Sequence, residues 1–156
     1  VILDLRNNPG GYLTGSVFIA SEFLNSGVVV QQEHADGTKE TFSVNRPGKL
    51  LNQPLLVLIN EGSASASEIV AGALQDYKRA KIVGTKSFGK GTIQEAEDLP
   101  GGAGLHITTA RWLLPQGGSI DKKGITPDNE IKDNPQTLEI DEQLQKAIEI
   151  LEVKTK

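Results

Sequence analysis

The sequence predicts a mixed α/β domain of the α+β kind, because strand-like and helix-like stretches intermix along it. Three observations carry this. Residues 55–59 form an unbroken apolar run, Leu-Leu-Val-Leu-Ile, and just beyond it Ile69, Val70, Ala73 and Leu74 recur at helical spacing. Residues 28–33 and 40–44 flank Ala35-Asp36-Gly37-Thr38, whose Asp-Gly pair marks a hairpin turn. Over residues 138–153, Leu138, Leu144, Ala147, Ile148 and Leu151 fall near the helical period, with acidic residues early, as a terminal helix requires. The 156 residues suffice for one domain with a sizeable core.

Taken in order, residues 1–5 read as a buried strand, and Arg6-Asn7-Asn8-Pro9-Gly10-Gly11 as a loop dense in turn formers. Two adjacent glycines let a backbone N–H approach a ligand closely. Leu13, Val17, Ala20, Phe23 and Leu24 mark an amphipathic helix that Asn25-Ser26-Gly27 ends. After the hairpin, residues 45–54 form a polar loop into the apolar run. The second helix ends near residues 77–79, with Gly72 its one weak helix former. A short strand at 81–84, a glycine-rich loop at 85–91 and a strand at 92–95 follow. Pro100-Gly101-Gly102-Ala103-Gly104 turns the chain into a strand at 105–112, and 115–128 is turn-rich. The chain opens within a strand and holds no methionine, so it is expected to be a piece of a longer protein with its targeting segment elsewhere.

Composition excludes several classes. A net charge of −4 without a Lys/Arg cluster argues against nucleic acid as a partner. No apolar run approaches a membrane span. The absence of cysteine removes disulfides, thiolate metal sites and a thiol nucleophile. His34 and His106 are too few and too scattered for a histidine metal cluster, so neither a metal nor another cofactor is expected.

The chemistry concentrates in Asn60-Glu61-Gly62-Ser63-Ala64-Ser65-Ala66-Ser67-Glu68, where a strand turns into a helix through small residues. Such a turn projects one side chain and aims the free N–H groups of the helix at the same spot, which is what a nucleophile with an oxyanion hole needs. A second reading stands beside it: Ser65 to Glu68 fits the S-x-x-E capping box, in which Ser65 caps the helix and Glu68 reaches back. If Ser65 is a nucleophile it needs a base. Lys90, between Gly89 and Gly91, can enter a pocket with little backbone obstruction, and it serves as a base only when neutral, which favours surroundings without a carboxylate at the amine. Gln94, four residues on, could orient the amine without charging it. The loop lacks the spacing of a phosphate-binding P-loop.

Five segments in order then carry a resemblance: Leu3-Asp4-Leu5-Arg6-Asn7-Asn8-Pro9-Gly10-Gly11; Ser63-Ala64-Ser65-Ala66-Ser67-Glu68; Gln75-Asp76-Tyr77 with Arg79-Ala80; Phe88-Gly89-Lys90-Gly91-Thr92-Ile93-Gln94; and Gly124-Ile125-Thr126-Pro127-Asp128. Together they resemble the C-terminal processing (tail-specific) peptidases from Val1 to about Ile131. The resemblance implies a ClpP/crotonase-like core over residues 1–156 that hydrolyses peptide bonds near substrate C-termini. It makes Ser65 the nucleophile, Lys90 the general base of a serine–lysine dyad and Gln94 the residue that positions the lysine. It also makes Gly11 N–H and Ala66 N–H the oxyanion hole, and Asp76 and Glu68 supporting residues. It further implies protein or peptide substrates, a gating PDZ domain outside this chain, an extracytoplasmic location and possible self-association. The alternatives are a crotonase-like enzyme acting on acyl thioesters and a non-catalytic peptide-binding scaffold.

Overall fold

A computed structural model describes residues 1–132 and 140–154. Its centre is β4, Leu56–Ile59, which is buried along its whole length. It pairs in parallel with β1, Ile2–Asp4, on one side and with β5, Lys81–Gly84, on the other, and β5 pairs in parallel with the short β8, Asn129–Glu130. A strand covered on both faces reads as a continuous apolar run rather than an alternation, which is why residues 55–59 show no polar position. Val57 and Ile59 face one core, shared with α1, Leu13–Phe23, and α2, Ala66–Asp76. Leu56 and Leu58 face a second, smaller core with Ala147 of α3, Glu142–Lys154.

A second, antiparallel sheet runs β3-β2-β7-β6. Here β2 is Val28–His34, β3 Lys39–Ser43, β6 Thr92–Leu99 and β7 Ala103–Leu113. The mixed α/β class expected from the sequence is the one observed. Several boundaries differ. β6 continues to Leu99, where its residues are exposed and carry no core-facing pattern, and β7 starts at Ala103 rather than 105. β8 has only two residues, both polar, and lies just beyond the turn-rich stretch, where the sequence predicts no element. The terminal helix starts at Glu142, and Leu138 lies outside the described residues.

α2 is buried from Ala66 to Leu74, and its weak helix former has a packing reason. A Cβ on Gly72 would stand 2.5 Å from Leu114 Cδ2 and 3.0 Å from Ile125 Cδ1, so the missing side chain admits the segment that follows β7. α3 is fastened by charge. Arg6 donates to Asp4 Oδ2 at 2.8 Å, to Asp141 at 2.8 and 2.7 Å and to Gln143 Oε1 at 3.2 Å. Asp141 also caps α3 by accepting the Leu144 N–H at 2.8 Å.

The Arg6 hydrogen bonds hold the Asp4 and Asp141 carboxyls below the usual carboxylate range. A depressed carboxylate pKa stabilises the folded state above the unfolded value and loses that contribution as pH falls through the folded one. Docking of α3 is therefore expected to hold at neutral pH and to loosen below about pH 4, the ordinary aspartate range, before α2 does. At pH 7, Arg6→Gln should reproduce the loosening. Hydrogen exchange, corrected for the intrinsic pH dependence, should show α3 amides exchanging roughly ten-fold faster or more in that variant, since bonds to charged groups are worth about 1.5–3 kcal/mol, with α2 unchanged.

Candidate active site

The turn between β4 and α2 is laced to the loop after β1. Ser63 Oγ donates to Leu5 O at 2.8 Å and accepts the Asn60 N–H at 3.0 Å. Ala64 N–H donates to Asn8 O at 3.0 Å, and Asn60 Oδ1 accepts the Asn7 N–H at 2.8 Å. Gly10, at φ +98°, passes so close that a Cβ would stand 2.6 Å from Ala64 O, 2.7 Å from Ala66 N and 2.9 Å from Ser65 Cβ. The Asn-Asn-Pro-Gly-Gly loop therefore needs a residue without a side chain where it meets the serine turn.

Ser65 itself has φ 53° and ψ −118°, a conformation that a residue with a Cβ rarely adopts. Such strain costs on the order of 1–3 kcal/mol and persists only where the surroundings over-determine it. Ser67 N–H donates to Ala64 O at 3.1 Å and Ile69 N–H to Ser65 O at 3.0 Å. Ser65 Oγ faces the Glu68 N–H as half of a capping box, without full hydrogen-bond geometry. Ala66 N–H and Gly11 N–H have no acceptor among the described residues. Two donors are thus unclaimed at the N-terminus of a buried helix, Ala66 next to the half-buried Ser65 and Gly11 next to the Gly10 that packs against that serine.

What holds the serine turn against the lysine loop is Glu68, whose side chain is fully buried. Its Oε2 accepts the Ser65 N–H and the Lys90 N–H, both at 2.9 Å. Its Oε1 accepts the Gly89 N–H at 2.7 Å and the Ser87 hydroxyl at 2.5 Å. Ser87 Oγ in turn accepts the Ile125 N–H at 2.6 Å, and Ser87 N–H donates back to Ile125 O at 3.1 Å. Gly124 sits where a Cβ would meet Ser87 O at 2.5 Å. Sequence reasoning placed Glu68 in the box but missed Ser87 and Gly10. A serine two residues before a Gly-Lys-Gly carries no distinguishing local pattern.

The two halves of the expected dyad are joined through backbone and not through side chains. Lys90 is exposed, and its amine bonds to no described residue, where the sequence suggested entry into a pocket. Gln94 is likewise exposed, on β6 opposite Thr108, and makes no hydrogen bond to Lys90. Asp76 lies 11 residues along α2 from Ser65, about 16 Å at 1.5 Å per residue. Its Oδ2 accepts the Gln116 N–H at 2.9 Å, and its carbonyl oxygen accepts from Gln116 Nε2 at 2.6 Å, which fastens the far end of the helix to the turn after β7. His34 lies at the end of β2 and His106 on β7. Among the described residues no cluster of three metal-ligating side chains occurs, and no helix is long and apolar enough to cross a membrane.

Residues 1–131 match the family model of peptidase family S41. The carboxyl-terminal-processing protease of Synechocystis sp. is 46% identical over 156 residues, a stretch that covers 96% of this chain and 36% of the relative. The carboxy-terminal-processing protease of Bartonella bacilliformis is 48% identical over 131 residues, 81% of this chain and 30% of the relative. Among solved structures, the photosystem II D1 C-terminal processing protease matches with a TM-score of 0.78 at 40% identity, over 84% of this chain and 34% of that one. The fold and its relatives are those of serine-type peptidases. Within that class, the chain belongs to peptidase family S41. It spans about a third of the length of these relatives.

Replacing Glu68 by Gln swaps one accepting oxygen for a donating NH2, which leaves two of the four donors without a partner. Each orphaned buried group costs about 1–3 kcal/mol. Glu68→Gln is therefore expected to lower the melting temperature and to make residues 87–90 open to limited proteolysis while α1 and β4 remain protected. Unchanged melting and cleavage patterns would refute the clamp.

Proposed function

We propose that this chain is the catalytic core of a serine–lysine endopeptidase that cuts protein substrates near their C-termini. The observation that carries the reading is the strained Ser65, held beside the unclaimed Ala66 and Gly11 N–H groups. Ser65 Oγ attacks the scissile carbonyl carbon while its proton passes to the neutral Lys90 amine. The carbonyl oxygen becomes an oxyanion between the Ala66 and Gly11 N–H groups. Collapse breaks the C–N bond, and Lys90 gives the proton to the departing amine. Water, deprotonated by the same amine, then attacks the acyl carbon; the C–Oγ bond breaks, Ser65 Oγ takes the proton back from Lys90 and the product leaves with a new carboxyl group.

In this scheme Glu68 sets the approach of Lys90 from the main chain, leaving the side chain free to swing. A peptide lying over the loop covers the amine and removes water from it. Gln94 positions the amine from β6, and Asp76 supports the helix rather than the chemistry. The Glu68 carboxylate is occupied by four donors, so capping box and nucleophile coexist in one turn.

The same proposal includes a PDZ domain that gates access, an extracytoplasmic location and self-association of the whole protein. A crotonase-like acyl-thioester enzyme would use the two N–H groups without requiring Ser65 and Lys90 together, and a peptide-binding scaffold would require neither.

In the protein at the length of its relatives, Ser65→Ala and Lys90→Ala are each expected to reduce peptide hydrolysis by roughly 10³-fold or more, as loss of one member of a catalytic unit does, with unchanged circular dichroism. Lys90→Arg should be equally inactive, because a guanidinium keeps its proton. Retained turnover in Lys90→Arg would eliminate the lysine as the base.

A further inference from the structure

A cavity of about 180 Å³ opens beside the serine turn, lined in part by Gly10, Gly11 and Ala66. Leu5, Val70 and Ile19 supply apolar walls, and no described charged residue lines it. Two of its polar side-chain atoms are already engaged: Ser16 Oγ donates to Leu13 O at 2.7 Å, and Asn8 Oδ1 accepts the Gly10 N–H at 3.0 Å. The space opens to solvent past the exposed Tyr12, Gly15 and Ile19, and its neutral lining suits one uncharged side chain.

Its place identifies which side chain. On the serine reading above, on which this inference rests, the scissile carbonyl oxygen lies between Gly11 N–H and Ala66 N–H, and both residues border the cavity. The α-carbon on the acyl side is bonded to that same carbonyl carbon. The amine-side half of the substrate must instead approach Lys90, which gives it a proton, and neither Lys90 nor its loop lines the cavity. The occupant is the side chain of the residue whose carbonyl is attacked.

One wall is a glycine with no packing reason to be one. Gly15 lies in the first turn of α1, where glycine is a poor helix former. In contrast to Gly72, a Cβ built on it meets nothing nearer than Tyr12 Cβ at 4.0 Å. We propose that Gly15, with Ile19 one turn on, determines specificity for the residue on the acyl side of the cleaved bond. The missing side chain at position 15 keeps the cavity deep enough for a branched aliphatic or single-ring side chain, and the neutral lining rejects charged ones.

The test measures competing initial rates of the protein at the length of its relatives on a peptide pool. The pool varies Ala, Val, Leu, Phe, Trp, Asp and Lys at the acyl-side residue, with a second pool varied at the amine-side residue. The unsubstituted protein should prefer Val, Leu and Phe over Asp and Lys. In Gly15→Leu, kcat/KM for Leu and Phe peptides should fall by roughly 10- to 200-fold for each methylene excluded, with the Ala peptide retained and the melting temperature not lowered. Ile19→Ala, at a half-exposed position, should raise the rate on Trp peptides, and Gly15→Ala replaces Gly15→Leu if the latter does not fold. A more stable Gly15→Leu or Gly15→Ala with an unchanged ranking, or a ranking that shifts only in the amine-side pool, would overturn the assignment. Cleavage that survives Ser65→Ala, with Ser65 unreactive to a fluorophosphonate, would overturn the serine reading and the role of the cavity with it.

Discussion

The arrangement depends on one buried carboxylate. Glu68 has no cation beside it among the described residues; its charge is met by three backbone N–H groups and one hydroxyl. Hydrogen bonds to a charged acceptor are about twice as strong as neutral ones, and position in the first turn of α2 adds the favourable end of the helix dipole. Because its two oxygens take donors from segments about twenty residues apart, Glu68 fixes a distance between them that neither segment fixes alone. The strained backbone of Ser65 is affordable only under that constraint, supplemented by the glycine contact from the loop after β1.

The parallel sheet supplies the platform. β4 ends at the serine turn and β5 ends at the lysine loop, so both segments leave the same edge of the sheet, at the carboxyl ends of neighbouring strands. Sites in open α/β sheets gather at that edge because the loops there converge. α2 then runs back across the sheet, with its far end secured by Asp76 and Gln116. The two ends of the helix are thus held separately, by the Glu68 carboxylate at one and by Asp76 and Gln116 at the other.

Much of this was legible in the chain. The apolar run at 55–59, the small residues around Ser65 and the helical recurrence from Ile69 to Leu74 are local signals, and local signals survive in a linear reading. The capping box also showed, but only as a helix start. That the same carboxylate reaches Ser87, Gly89 and Lys90 is a tertiary fact with no periodicity to reveal it. β8 escaped because two polar residues pairing with Val83 and Gly84 need no apolar pattern. The outer half of β6 escaped because Ala96, Glu97, Asp98 and Leu99 are all exposed and oppose their partners without a core to alternate against. Lys90 illustrates the reverse case: the glycines on either side promised burial, and the structure uses them for close backbone approach instead, Gly91 against Asp121 and Gly89 against Gly124.

The hydroxyl of Ser87 has a consequence for the order in which this protein comes into being. It donates a hydrogen bond to Glu68 and accepts one from the Ile125 amide, so its orientation is settled only when residue 125 is in place. A ribosome delivers the chain from the N-terminus, and the strand, the serine turn and the buried helix all emerge well before that amide does. Until then the carboxylate has a rotatable partner and the lysine loop an unfastened neighbour. The nascent polypeptide therefore carries the serine turn and the lysine loop before it carries the segment that fastens them to each other.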